Sequence, residues 1–157
     1  MRSGSRGFTY VLLLVLLAVM AVAATASVQL GHALERRAAE QALLAVGEDW
    51  SVAINSYRAV GGQGPAELTD LLRDPRVAGV KRHLRQLPFD PLTGRAEWGL
   101  VRDPQGLIAG VYSLAEGVPL KRDGFDPARQ PGFEDADSYA QWVFGAAVVM
   151  RSAAGAH

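Results

Sequence analysis

Residues 6–30 read RGFTYVLLLVLLAVMAVAATASVQL, and no charged side chain occurs between Arg6 and Glu35. As a helix rising about 1.5 Å per residue, Phe8 to Leu30 would extend about 35 Å, enough to cross a hydrocarbon layer about 30 Å thick. A helix that is apolar on every side needs an apolar medium on every side. A chain of 157 residues offers one domain and too little protein to wrap such a helix. Two homes remain. Arg2 and Arg6 can form the basic region of a secretory signal, with Val11 to Met20 as its apolar region and Ala24-Thr25-Ala26 before the cut, which leaves a soluble exported protein starting at Ser27. Alternatively the run is kept as a membrane anchor, with Arg2 and Arg6 on the inner side.

Working outward, the helix is predicted to continue past the apolar run. Leu34 to Leu44 is rich in strong helix formers. Leu43, Val46, Trp50, Ile54 and Tyr57 recur at steps of three or four and share one face, on which a head would dock. Glu35, Arg36, Glu40, Glu48, Asp49 and Arg58 are assigned to the other faces. The change from all-apolar to amphipathic falls between Gly31 and Glu35, and Gly61-Gly62 is the expected C-terminal cap. Gly61 to Pro65 is a loop, not a phosphate loop, because no Gly-Lys-Ser/Thr follows. Pro65 to Arg73 is read as a short helix with Leu68, Leu71 and Leu72 on one side, ended by Asp74-Pro75. Lys81, Arg82, His83 and Arg85 form a basic cluster, either a solvated face or a contact for a negatively charged partner. Leu87 to Gly94 holds a tight turn at Asp90-Pro91. Residues 97–101 and 107–113 are expected strands joined at Asp103-Pro104-Gln105-Gly106. Residues 118–137 are loop, 138–150 a last strand or a short C-terminal helix, with propensity favouring a strand over 139–144, and 151–157 a flexible tail. The expected fold class is therefore α+β: a long N-terminal helix, transmembrane in its first half and amphipathic in its second, packed on a small antiparallel sheet.

Composition excludes much chemistry. The chain has no cysteine, so disulfides, thiolate catalysis and cysteine zinc sites are ruled out. Of 16 Lys+Arg, Arg2 and Arg6 precede the apolar run; all 16 Asp+Glu follow it, so the downstream part is slightly acidic. A general nucleic-acid binder carries a basic excess, and no nucleic-acid partner is expected. His32, His83 and His157 are the only histidines. No HExxH, GxSxG or dinucleotide fingerprint occurs, no Ser/His/Asp set is apparent, and an enzyme is not expected.

Arg6-Gly7-Phe8-Thr9, joined directly to the apolar run, resembles the processing site of type IV pilins and pseudopilins. Leu87-Pro88-Phe89-Asp90-Pro91-Leu92-Thr93-Gly94 resembles a turn in the head of the major, G-type pseudopilin of type II secretion. The resemblance implies a pilin-like fold and a leader of residues 1–7, cut by a prepilin peptidase between Gly7 and Phe8, with methylation of the Phe8 amine. It implies a filament-core helix over 8–30 and a periplasmic head over 31–150, on a single-pass protein of the bacterial inner membrane. Its partners would be other pseudopilins or pilins and an inner-membrane assembly platform, and its role structural: a filament that drives protein export. A minor subunit of a type IV pilus or DNA-uptake filament is the alternative within that class. One position departs from the pattern. Leu12, fifth after the cut, stands where most members have a glutamate thought to pair with a neighbour's N-terminal amine, and it points to a minor or atypical subunit or to insertion driven by apolar packing alone. G-type heads also bind calcium near an acidic loop, for which Glu116, Asp123 and Asp126 are the weak candidates here; no other cofactor is implied.

Overall fold

The computed structural model describes residues 5–145, without the side chains of residues 5–7 and 22–33. The tail at 151–157 and most of the 1–7 leader lie outside the described residues. The described part is α+β: helix α1 (Ser5–Gly61), two short 3-10 turns and a three-stranded antiparallel sheet. Two compact units divide at Arg37/Ala38. In the first unit, every side chain described from Phe8 to Ala21 is exposed.

In the second unit α1 supplies one wall of the core. Leu43, Trp50, Ile54 and Tyr57 are buried and Val46 half-buried, on the face that the spacing of three and four predicts. The helix ends at Gly61 because Gly62 takes φ +74 and donates its N–H to the Arg58 carbonyl at 2.6 Å, a left-handed cap that suits glycine.

The opposite wall is small. Strand β1 (Gly99–Arg102) pairs antiparallel with β2 (Ile108–Tyr112), and β2 with β3 (Phe144–Gly145), in the order β1-β2-β3. The β1–β2 turn forms as its sequence predicts. Asp103 Oδ1 accepts the N–H groups of Gln105 and Leu107, and Gly106 takes φ +81. The register shifts at Val101/Arg102, an irregularity after which Arg102 pairs with Ile108.

The remaining wall comes from chain without regular structure. Phe133 stacks on Trp142 at 5.6 Å and 9°, and Phe125 and Phe144 meet Phe133 edge to face. The 118–137 segment is a loop, as read, but one that carries two core aromatics. Two sequence assignments change. Pro65 to Arg73 holds only a 3-10 turn, Leu68–Leu71. The Asp70 carboxylate accepts the Ala66 and Glu67 N–H groups in a capping box at the start of the turn, and Leu72 donates to the Thr69 carbonyl in the i→i+3 pattern of a 3-10 helix. The 139–144 strand is instead a 3-10 turn, Tyr139–Gln141, followed by β3, which lets Tyr139 and Trp142 both turn inward.

The Phe144 ring lies against the α1 backbone at Gly47, where an added Cβ would sit 2.1 Å from a ring carbon. Gly47→Ala adds helix propensity of about 1 kcal/mol and overpacks the core at about 1–3 kcal/mol. Thermal melts should therefore show a lower midpoint for Gly47→Ala. A higher midpoint would mean that the ring does not rest on the helix there.

Candidate functional site

Two features of the described residues have no role in closing the core by themselves: the bare apolar start of α1, and three carboxylates buried in the second unit. Gly7 and Phe8 lie near the start of α1. Phe8 is 70 % exposed and Leu12, one turn on, 57 %; Val11, Val15, Val19 and Met20 are open to a similar degree. No side of the helix from Phe8 to Ala21 is covered. A contiguous apolar surface of this extent is costly to leave in water, at about 25 cal/mol per Å². Among the described residues no helix is long and apolar enough to cross a membrane. The described side chains of the run end at Ala21, short of Leu30.

Glu40 is assigned to a solvent face by sequence, yet it is only 3 % exposed. Its Oε1 accepts the Leu120 N–H at 2.6 Å and the Tyr139 hydroxyl at 2.6 Å; its Oε2 accepts the Lys121 N–H at 3.1 Å. The carboxylate thus pins two distant loops to α1. Burial of an acid is tolerable because both oxygens are hydrogen-bonded. The sequence signal was slight: Glu40 lies three residues before Leu43, so it borders the core face.

Asp90 is fully buried at the head of its predicted turn. Its Oδ1 accepts the Leu92 N–H and its Oδ2 the Ser113 hydroxyl at 2.6 Å, while Gly94 closes the turn at φ +69. Trp98 Nε1 donates to the Pro88 carbonyl at 2.9 Å, and the Trp98 ring meets Trp50 edge-on at 5.6 Å. The turn is thereby fixed to both the sheet and α1.

Asp74 is the third. Arg76 donates to it from Nε and Nη2, both at 2.9 Å, and from its backbone N–H at 3.0 Å. Arg76 also donates to the Tyr57 carbonyl at 2.7 Å and lies 3.6 Å over the Tyr57 ring. These bonds, the side-chain pair with Arg76 first, hold the Asp74 carboxyl well below the usual carboxylate range. Burial, the largest cause, raises the Tyr57 phenol.

His83 completes this cluster and brings together what the sequence kept apart. Its Nε2 lies 3.3 Å from Asp74 Oδ2 and its Nδ1 2.9 Å from Ser56 Oγ. The hydroxyl–imidazole–carboxylate string has the connectivity of a nucleophilic relay. It lacks the surroundings of one. Arg76 already neutralises Asp74, and Ser56 sits inside α1, whose backbone N–H groups are spent on helix bonds and cannot cradle an oxyanion. The string ties the 74–83 strap to the helix.

The calcium candidates do not converge. Glu116 and Asp123 are exposed, and Asp126 accepts the Ala128 N–H while facing Arg129 at 3.6 Å. Among the described residues no three His, Cys, Asp or Glu side chains form a group that could hold a metal. A cavity of about 140 Å³ lies between α1 and the 128–131 loop, but Glu48 and Arg129 on its lining pair with each other at 3.5 Å and Ser51 bonds the Gly47 carbonyl. It presents no free nucleophile. No protein-family model, curated protein or solved structure matches this chain.

The Asp74 pin has a defined pH signature. A carboxyl whose folded pKa is depressed stabilises the fold above its unfolded value of about 3.9; that contribution fades as pH falls through the folded value. Asp74→Asn should melt well below wild type at neutral pH, and the gap should narrow steadily below about pH 4. A gap independent of pH would remove the ion pair as its cause.

Proposed function

We propose that this chain is a membrane-anchored, non-enzymatic assembly subunit of the pilin or pseudopilin type. Its fold would be pilin-like, with α1 serving first as inner-membrane anchor and then as filament core. One observation carries the reading: the apolar side chains from Phe8 to Ala21 are open on every side, while the unit from Ala38 onward closes its own core without them. Such a segment needs lipid, or other copies of itself, around it. The Gly7-Phe8 junction directly before it, and the amphipathic face directly after it, support the pilin form of that reading. Arg2 and Arg6 favour an inner basic end, with the head on the outer, periplasmic side.

In this assignment Gly7-Phe8 is the bond cut by a prepilin peptidase, the Phe8 amine is the methylated group, and the partners are other pilin-like subunits and an assembly platform. Growth of a filament of packed helices would drive protein export. Leu12 cannot offer a charge to a neighbour's amine, which favours a minor or atypical position in a secretion filament or pilus. The competing reading, a soluble exported protein released near Ser27, keeps the same head and loses the apolar helix.

N-terminal sequencing of the protein made with its native processing machinery separates these. A mature chain beginning with N-methylated Phe8 is expected, and Gly7→Leu should leave the precursor uncut in the membrane. A chain beginning at Ser27 would sink the assembly reading. Leu12→Glu tests the missing acid. If the position lies in the filament core, the variant should alter incorporation beside wild-type subunits; unchanged incorporation removes the argument that Leu12 marks an atypical place.

A further inference from the structure

From Asp74 to Arg95 the only acids are Asp74 and Asp90, and both are buried and satisfied internally. Lys81, Arg82, Arg85 and Arg95 are exposed, and none of them makes an ion pair among the described residues. Val80 and Phe89, 69 % and 64 % exposed, stand among them. Backbone bonds fix this face: His83 and Leu84 both donate to the Leu71 carbonyl, Lys81 accepts from Asp74, and Asp90 and Arg95 are bonded. Burying its own two acids leaves the segment's own exposed charges all positive, with apolar points among them and the exposed Glu97 just beyond its end, the form of a docking face for an anionic partner.

The same head carries the opposite charge elsewhere. Asp123, Glu134, Asp135 and Asp137 are exposed and make no ion pair among the described residues. The cations of that stretch are already engaged. Lys121 lies over the Phe125 ring at 4.6 Å, Arg122 donates to the Ala136 carbonyl, and Arg129 pairs with Glu48 and Asp126. The two surfaces have separate anchors on α1, and the acidic loop also follows the helix past Glu48 to Asn55 through Arg129 and Pro131. The acidic loop is held at Glu40 through Leu120, Lys121 and Tyr139, and the basic strap at Ser56 through His83. Glu40 and Ser56 are 16 positions apart, about 24 Å along a helix.

We propose that the basic face of one head, at Lys81, Arg82 and Arg85, docks on the acidic loop, at Glu134, Asp135 and Asp137, of a second copy of this chain. The inference rests on the assembly role proposed above and names a contact between the globular units of two copies. Unlike patches make a heterologous contact between copies, not the self-complementary contact of a symmetric dimer.

The chain has few lysines, and Lys81 is the one in this face, so zero-length carbodiimide coupling of amines to carboxylates reads the contact directly. Full-length protein in neutral phosphatidylcholine vesicles, mixed from light and isotope-labelled copies, should give links from Lys81 to Glu134, Asp135 or Asp137 that join a light copy to a heavy one. The links should vanish near 1 M salt, where the screening length is about 3 Å. Arg82→Glu/Arg85→Glu should lower their yield about tenfold or more, since like charges then oppose. Glu134→Lys/Asp137→Lys should do the same. Mixing the two variants should restore inter-copy links. Links confined within single copies, or no rescue on mixing, overturn the proposal. Binding of the basic face to anionic vesicles or to DNA, with no inter-copy link, also overturns it and reassigns the face. Loss of these links with normal maturation at Phe8 leaves the assembly reading standing; maturation at Ser27 sinks that reading whatever the links show.

Discussion

The second unit depends on one face of α1. Strands of four, five and two residues cannot bury an apolar surface alone, and a three-stranded sheet of this size is marginal without a helix against it. Leu43, Trp50, Ile54 and Tyr57 supply that surface, and nearly every buried aromatic of the sheet and loops gathers around it. Trp98 meets Trp50 edge-on, and Phe144 lies flush against Gly47. A rigid helix therefore organises much irregular chain. The arrangement places the core on residues close in sequence along α1, and long loops then need only find one template.

What keeps those loops in place is electrostatic, in a chain that has no disulfide to do it. Glu40, Asp74 and Asp90 each sit at a junction between α1 or a turn and a segment distant in sequence. Hydrogen bonds to charged groups contribute about 1.5–3 kcal/mol each, and an unmade one leaves a buried charge uncompensated, which is costlier still. Such pins are conditional on complete partner sets. Glu40 has three donors from two segments. Asp74 has Arg76 and His83. Asp90 has a backbone N–H and the Ser113 hydroxyl. The same economy shapes the outside: an acid spent inside a basic segment leaves that segment's cations without local partners.

Sequence periodicity located α1's core face and its glycine end, because a helix writes its buried face as a repeat of three and four. Turn chemistry located Asp90-Pro91 and Asp103 to Gly106, because asparagine-like side chains and left-handed glycines close turns locally. The misses at the buried polar and aromatic residues share one cause. Glu40 looked solvated because its donors, Leu120 and Tyr139, lie 80 and 99 positions away. His83 looked isolated because Ser56 and Asp74 reach it only through the folded strap. Phe125 and Phe133 sat in a Pro-, Gly- and Asp-rich stretch whose composition speaks for loop and is silent on where two aromatics point. Non-local contacts leave no periodic trace.

Leu12 gives the two halves of α1 a common logic within the proposed assembly. An acid within an apolar helix is costly to insert, and an unlike charge on a neighbour then fixes how the helices align. With Leu12 the helix from Phe8 onward is easier to bury and carries no charge to set its register. Val, Leu and Ala packed on Val, Leu and Ala are tolerant of sliding, since small shifts exchange one apolar contact for another. Affinity would then come from the apolar segment and alignment from elsewhere. Electrostatic complementarity contributes specificity more than raw affinity, and the described residues that can supply it are the unpaired charges of the head, positive near Ser56 and negative near Glu40. In the proposed assembly, a helix without its registering charge thus leaves alignment to complementary charge on the head.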